Sequence, residues 1–177
     1  STTNVDYAVA QANKLLGYGG EDYPSGWQQD AECRYWYANG DGTWPTGWAK
    51  IGDAWYWFDK SGYMRAGWLS DDGKWYFLSD QHDGTFGAMV TGWREISGKW
   101  YYFTPSGAMA TGWQLVDGAY YYLDADGEMV KGWQLVDGKW YWLKDDGSMS
   151  NDEVLRIDGK FYGFDETGKM LAHSLEA

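Results

Sequence analysis

The chain has 177 residues and a formal net charge of −12 at pH 7, with 14 Trp, 15 Tyr and 25 Gly against few Leu, Ile and Val. Acidity of that size disfavours nucleic-acid phosphate and anionic lipid as partners and suits a cationic ligand, and no apolar run approaches the roughly 18–20 residues of a membrane span. A globular core normally rests on aliphatic side chains, so aromatic rings are expected to supply most of the buried area here. Cys33 is the single cysteine, which excludes an internal disulfide, and His82 and His173 are the only histidines. No Cys/His cluster has metal-ligand spacing, and no cofactor is expected.

In chain order, residues 4–16 predict a short helix, capped by Asn4, with Val5, Val9, Ala12, Leu15 and Leu16 at helical spacing and Gly17 as its end. The start at Ser1, without Met or a secretory signal pattern, reads as an artificial boundary or a processing site, with the true N-terminus expected upstream. Residues 18–26 read as a linker with Gly19, Gly20 and Pro24. The expected organisation is therefore a helix and linker over 1–25 and a repeat module over 26–177.

From residue 26 onward an internal repeat dominates. Gly-Trp pairs stand at Gly26–Trp27, Gly47–Trp48, Gly67–Trp68, Gly92–Trp93, Gly112–Trp113 and Gly132–Trp133. From Trp48 the steps are 20, 25, 20 and 20 residues (68−48, 93−68, 113−93, 133−113), the long one being explained by an insertion near Asp80–Gly84. All six methionines (Met64, Met89, Met109, Met129, Met149 and Met170) fall two residues after a glycine. Within one unit, Trp113–Val116 predicts a strand, Asp117–Gly118 a two-residue turn and Ala119–Leu123 the returning strand, because Asp-Gly suits the positive φ of a type I′ turn. That turn pairs Trp113 with Tyr122 and Leu115 with Tyr120, placing Trp113, Leu115, Tyr120 and Tyr122 on one face and Tyr121 on the other. The first hairpin, Trp27 to Tyr37, is longer: Trp36 follows Trp27 by 9 residues, whereas Trp55 follows Trp48 by 7. In the last unit Val154 replaces Gly-Trp and Phe161–Phe164 replaces the Trp-Tyr-Tyr run, which predicts a degenerate capping repeat.

A lone hairpin is marginal in water, so each must bury its aromatic faces on its neighbours. The predicted fold is all-β, a solenoid of stacked β-hairpins with a short N-terminal helix and small repeated clefts. Tyr56, Tyr76, Tyr101, Tyr121 and Tyr141, on the opposite hairpin face, are assigned mainly to structure. Ring faces attract a quaternary ammonium by cation–π interaction of about 0.5–2 kcal/mol per ring; a sugar stacked on the rings is equally compatible with the spacing.

The pattern Thr91-Gly-Trp…Gly98-Lys-Trp-Tyr-Tyr-Phe…Gly107-Ala-Met109 resembles the choline-binding repeat of Gram-positive bacteria and their phages, over roughly residues 26–171. The opening Gly26-Trp-Gln-Gln…Tyr35-Trp-Tyr-Ala-Asn-Gly is similar to the start of the binding region in pneumococcal autolytic amidases and phage lysins. The resemblance implies a non-catalytic module that binds choline or phosphocholine of cell-wall teichoic acids and targets a murein hydrolase. It also implies an extracellular, wall-bound location (or phage-encoded release to the host wall) and homodimerisation through the C-terminal hairpins.

Carried over residue by residue, the resemblance implies four cages. They are Trp48, Trp55 and Phe77 with Met64; Trp68, Trp75 and Tyr102 with Met89; Trp93, Trp100 and Tyr122 with Met109; and Trp113, Tyr120 and Trp142 with Met129. Trp27, Trp36 and Trp57 would form a further one, and a cage after Trp133 and Trp140 is expected to be lost because Gly163 stands where its third ring is needed. Similar repeats occur in glucan-binding regions of secreted glucosyltransferases and in clostridial toxins, which makes a carbohydrate the alternative ligand. No carboxylate pair or Ser/His/Asp or Cys/His arrangement stands apart from the repeating turns, so an enzyme is not expected.

Overall fold

The computed structural model describes residues 23–176, with four isolated positions (8, 9, 12 and 15) nearer the N-terminus; side chains are described as far as residue 171. The helix expected over 4–16 falls almost wholly outside the described residues. The chain divides into two compact units, Ser1–Val90 and Thr91–Ala177. The first unit carries three antiparallel hairpins: β1 (Ser25–Gln29) with β2 (Tyr35–Asn39), β3 (Gly47–Ile51) with β4 (Ala54–Phe58), and β5 (Gly67–Asp71) with β6 (Lys74–Leu78). The second carries β7 (Gly92–Ile96) with β8 (Lys99–Phe103), β9 (Gly112–Val116) with β10 (Ala119–Leu123), β11 (Gly132–Val136) with β12 (Lys139–Leu143), and a three-stranded sheet of β13 (Glu153–Ile157), β14 (Lys160–Phe164) and β15 (Met170–Glu176).

The hairpin register follows from the turn chemistry. Asp117 and Gly118 have φ of 49° and 82°, the left-handed pair that a type I′ turn requires. Val116 then pairs with Ala119, Leu115 with Tyr120, Gln114 with Tyr121 and Trp113 with Tyr122. The first hairpin differs because its turn spans residues 30–34. There the buried Asp30 carboxylate accepts the backbone N–H groups of Glu32 and Arg34 and the Arg34 Nε–H, at 2.9–3.0 Å. This pairing makes Tyr35, opposite Gln29, the counterpart of Trp100, opposite Glu95.

The core mixes rings with aliphatic residues. Besides Trp36, at 1% exposure, its fully buried large apolar side chains form a column of Phe58 and Leu78 in the first unit and one of Phe103, Leu123 and Leu143 in the second, each at 0% exposure, whereas Trp55, Trp75, Trp100 and Trp140 are 40–49% exposed. Each column residue faces the glycine of its Gly-Trp pair across the hairpin and forms a β-bridge to the following methionine on its other side. It therefore lies in the middle of a narrow three-segment ribbon, out of reach of water, while the tryptophans on the hairpin face do not.

Methionines tie successive hairpins together. The Met64 N–H donates to the Tyr35 carbonyl, Met89 to Trp55, Met129 to Trp100 and Met149 to Tyr120, at 2.7–2.8 Å. In each case the methionine that follows one hairpin is bonded to the hairpin before it. The glycine of four Gly-x-Met sequences has a matching reason: a Cβ on Gly87, Gly127, Gly147 or Gly168 would overlap the Sδ of Met64, Met109, Met129 or Met149 from the preceding repeat. The Gly-x-Met phase is thus a ladder of methionine thioethers resting on bare glycine backbone, and Gly42-Thr-Trp44 holds the same place at its start, with Trp44 lying over Gly62.

At the C-terminal end β15 pairs with the outer edge of β14, with an irregular register between Tyr162 and Phe164. This covers a strand edge that would otherwise expose unpaired N–H and C=O groups.

Candidate ligand site: aromatic pockets between successive hairpins

Alternation along the strands gives each hairpin two different faces. One carries the Gly-Trp ring and the first and third rings of the returning strand; the other carries the middle tyrosine. Within each unit, stacking sets the first face of one hairpin against the second face of the next. Trp93 meets Tyr121 with ring centroids 4.8 Å apart at 68°, Trp113 meets Tyr141 at 4.8 Å, and Trp133 meets Tyr162 at 4.8 Å. In the first unit Trp27 meets Tyr56 at 4.8 Å and Trp48 meets Tyr76 at 4.9 Å. All are edge-to-face contacts, the geometry favoured by the ring quadrupoles.

Three of these junctions open into described cavities. One of about 410 Å³ is lined by Trp93, Trp100, Tyr121 and Met129, with Lys131, Asp145 and Asp146 at its margin. A second, of about 250 Å³, is lined by Trp133, Trp140, Tyr162 and Met170. A third, of about 290 Å³, is lined by Trp27, Tyr35, Tyr56 and Met64, together with His82, Gly84 and Phe86. The common lining is two rings of one hairpin, the middle tyrosine of the next, and the methionine that follows that next hairpin. The largest of the three volumes lies inside, and the other two just below, the roughly 300–1,000 Å³ typical of drug-sized ligand sites. Hydrogen bonds from the Ser148 hydroxyl and N–H hold the Asp146 carboxyl below its ordinary range, keeping negative charge beside the Trp93 pocket. Among the described residues no group of three or more His, Cys, Asp or Glu could hold a metal ion, and no helix is long and apolar enough to cross a membrane.

The choline-binding repeat family matches the chain at residues 45–85, 90–132 and 130–174. The chain belongs to the choline-binding repeat family. Choline binding protein F of Streptococcus pneumoniae is similar in structure, with a TM-score of 0.73 and 37% identity over 84% of this chain and 48% of that one. CbpJ of Streptococcus pneumoniae TIGR4 gives a TM-score of 0.73 at 35% identity over 84% and 48%. The pneumococcal cell wall endolysin from phage Cp-1, solved in complex with choline, gives 0.50 at 35% identity over 75% and 38%. The chain therefore spans about half the length, or less, of these relatives. No curated protein sequence matches it.

This choline-binding repeat chain brings together some of the residues expected from its sequence and separates others. Trp68 and Trp75 lie 6.3 Å apart and Trp113 and Tyr120 6.5 Å, and Trp93 and Trp100 line one cavity. Trp48 and Trp55 sit on the paired strands β3 and β4, the Trp48 Nε1–H donating to Asp71 at 3.0 Å. The third rings are elsewhere. Phe77, Tyr102, Tyr122 and Trp142 pack on the Gly-Trp rings of their own hairpins (Trp68, Trp93, Trp113 and Trp133) at 5.0–5.2 Å, and Phe77 is only 3% exposed. The ring that reaches the preceding hairpin is the middle tyrosine, because the opposed face is the one facing back.

The methionines shift by one repeat for the reason already given: Met129 is bonded to Trp100 and lines the Trp93 pocket, Met64 lines the Trp27 pocket, Met89 is bonded to Trp55, and Met109 rests over Gly127. Trp36 is 1% exposed in a cluster with Ala38, Tyr63 and Trp44, and Trp57 pairs with Trp48, so the Trp27 pocket takes Tyr35 and Tyr56 instead. The pocket after Trp133 and Trp140 is present, because Tyr162 rather than residue 163 fills the third position. One signal within the sequence marks the missed rings: the middle position is tyrosine at 56, 76, 101, 121, 141 and 162, whereas the third varies among Trp, Phe, Tyr and Gly.

Proposed function

We propose that this chain is a non-catalytic wall-binding module that holds the trimethylammonium of choline in its inter-hairpin pockets, on teichoic acids outside the cell. The observation carrying this reading is the Trp93–Trp100–Tyr121–Met129 cavity. It is lined by three aromatic rings and a polarizable thioether, with carboxylates at its margin, and its Trp100 is 40% exposed where a folded protein would ordinarily bury it. A quaternary ammonium has no N–H to donate, so electron-rich faces suffice to hold it. The endolysin relative described as complexed with choline supports the same ligand. Within each unit the hairpins stack as consecutive steps of a solenoid. Several weak pockets in series would grip a choline-bearing polymer by avidity and would deliver a linked murein hydrolase to it.

Calorimetric titration with choline, with a neutral glucan oligomer as control, tests the reading. Saturable choline heat that Trp93→Ala reduces is expected. Saturation by the glucan with no choline heat would move the chain to carbohydrate binding. Self-association through the last hairpins is a further part of the reading, and light scattering with and without choline tests it: a chain that stays monomeric in both removes it.

A further inference from the structure

The insertion that lengthens one repeat lies at a pocket two steps back. An ordinary exit turn closes by two backbone bonds, as where the Asp59 N–H donates to Tyr63 and the Gly62 N–H to Asp59. In the third hairpin the same two bonds run from Ser79 to Ala88 and from Gly87 to Ser79. The closing pair is thus 9 residues apart instead of 4 (88−79 against 63−59), and the five extra residues loop out. Their loop is built rather than slack. The buried Ser79 hydroxyl pairs with Thr85 Oγ1 at 2.8 Å, and the Asp83 carboxylate accepts the Thr85 N–H at 3.0 Å and its hydroxyl at 2.5 Å.

That loop delivers two rings to the Trp27 pocket. Phe86 lies 5.7 Å from Tyr35, and His82 stacks on Phe86 at 4.0 Å with their planes 16° apart. At the Trp93 pocket the exit turn two hairpins on contributes Asp145 and Asp146 instead. The two pockets therefore share a floor of rings and methionine but differ in rim chemistry. Carboxylates can accept hydrogen bonds from a primary ammonium, whereas ring faces favour a fully methylated one. Asp83 is engaged by Thr85 just as Asp146 is by Ser148, but Asp145 and Asp146 line the Trp93 pocket, whereas the insertion lines the Trp27 pocket with His82, Gly84 and Phe86 and with no carboxylate.

We propose that the insertion is a specificity element: Phe86, backed by His82, is a fourth ring of the Trp27 pocket and makes it discriminate most strongly for quaternary over primary ammonium. The proposal rests on the choline reading above. Proton NMR of the full chain separates the sites, with the His82 ring protons (assigned with His82→Gln) reporting the Trp27 pocket and the Trp93 indole N–H (assigned with Trp93→Phe) reporting the other.

Choline should shift both sets of signals saturably, and its preference over ethanolamine should be larger at His82 than at Trp93. Phe86→Leu should weaken choline at the Trp27 pocket about five- to tenfold and leave the Trp93 pocket unchanged. Asp83→Ala, which loosens the loop without touching the pocket lining, should act in the same direction and separates loss of the ring from local misfolding. Unchanged choline affinity at the Trp27 pocket in both variants, or an equal ethanolamine discrimination at the two pockets, would overturn the proposal while choline binding itself stood. Silence of both reporters toward choline would overturn the choline reading and this inference together.

Discussion

The assignment of the third ring gives the sharpest test of the pocket geometry. Tyr121→Leu keeps apolar bulk but removes the face that closes the Trp93 pocket from the following hairpin. One ring of three is lost, which at about 0.5–2 kcal/mol per ring corresponds to choline binding weakened roughly 2- to 30-fold. The same change removes the edge-to-face contact with Trp93 at 4.8 Å, worth about 0.5–1.5 kcal/mol of stability with or without ligand. The control is Tyr122→Leu, which loses a comparable contact with Trp113 at 5.0 Å but takes nothing from the Trp93 pocket. Titration followed at the Trp93 indole resonance isolates this pocket from its neighbours, and denaturant midpoints without ligand measure the structural cost of each variant separately. The geometry requires that only Tyr121→Leu change the choline affinity at this pocket. If Tyr122→Leu weakened it and Tyr121→Leu did not, the hairpin faces would be opposed the other way and the pocket description would fall.

Gly147→Ala should destabilise the second unit by about 1–2 kcal/mol, since Gly147 has φ 86° and a Cβ would displace the Met129 thioether. Choline at the Trp93 pocket should weaken with it, which site-resolved NMR and urea unfolding together would detect. Asp30→Ala should cost about 2–3 kcal/mol, because it removes the buried acceptor of three hydrogen bonds in the first turn; urea midpoints measure it. Asp146 and Asp165 are both lowered from 3.8, chiefly by the hydroxyls of Ser148 and Thr167. A depressed folded value means that their stabilisation is complete above 3.8 and is lost as pH falls from there through the folded values. Ser148→Ala should therefore flatten the acid side of the stability curve, seen as a smaller difference between unfolding midpoints at about pH 6 and about pH 3.

The hairpins themselves were legible because their signals are local. Asp117–Gly118 dictates a turn, the turn dictates the register from Trp113 to Tyr122, and the period of two assigns the faces. Which face meets which neighbour is not local. It depends on how the segment after each hairpin returns, and that is set by the backbone bond from Met129 to Trp100 and its equivalents. No residue pattern advertises a main-chain bond between positions 29 apart (129−100). The core column was hidden for a related reason: Leu123 reads as one apolar residue beside three tyrosines, yet its place between Gly112 and Met129 buries it completely.

A pocket assembled from one face of a hairpin, the opposite face of the next and the methionine after that has a consequence for how such a chain diversifies. The rings and methionine cannot vary freely, since Trp93 and Tyr121 hold two hairpins together and Met129 must both bond Trp100 and clear Gly147. The exit turn two steps on is under no such constraint. It contributes to the pocket margin after its own closing bonds are made, so lengthening it from Asp59–Tyr63 to Ser79–Ala88 leaves the ladder intact. One repeat can therefore place Asp145 and Asp146 at a rim while another places Phe86 and His82 there. Ligand preference can change pocket by pocket on a fixed aromatic floor, and the residue that changes it lies about 50–60 positions downstream of the pocket's own tryptophan (86−27, 145−93).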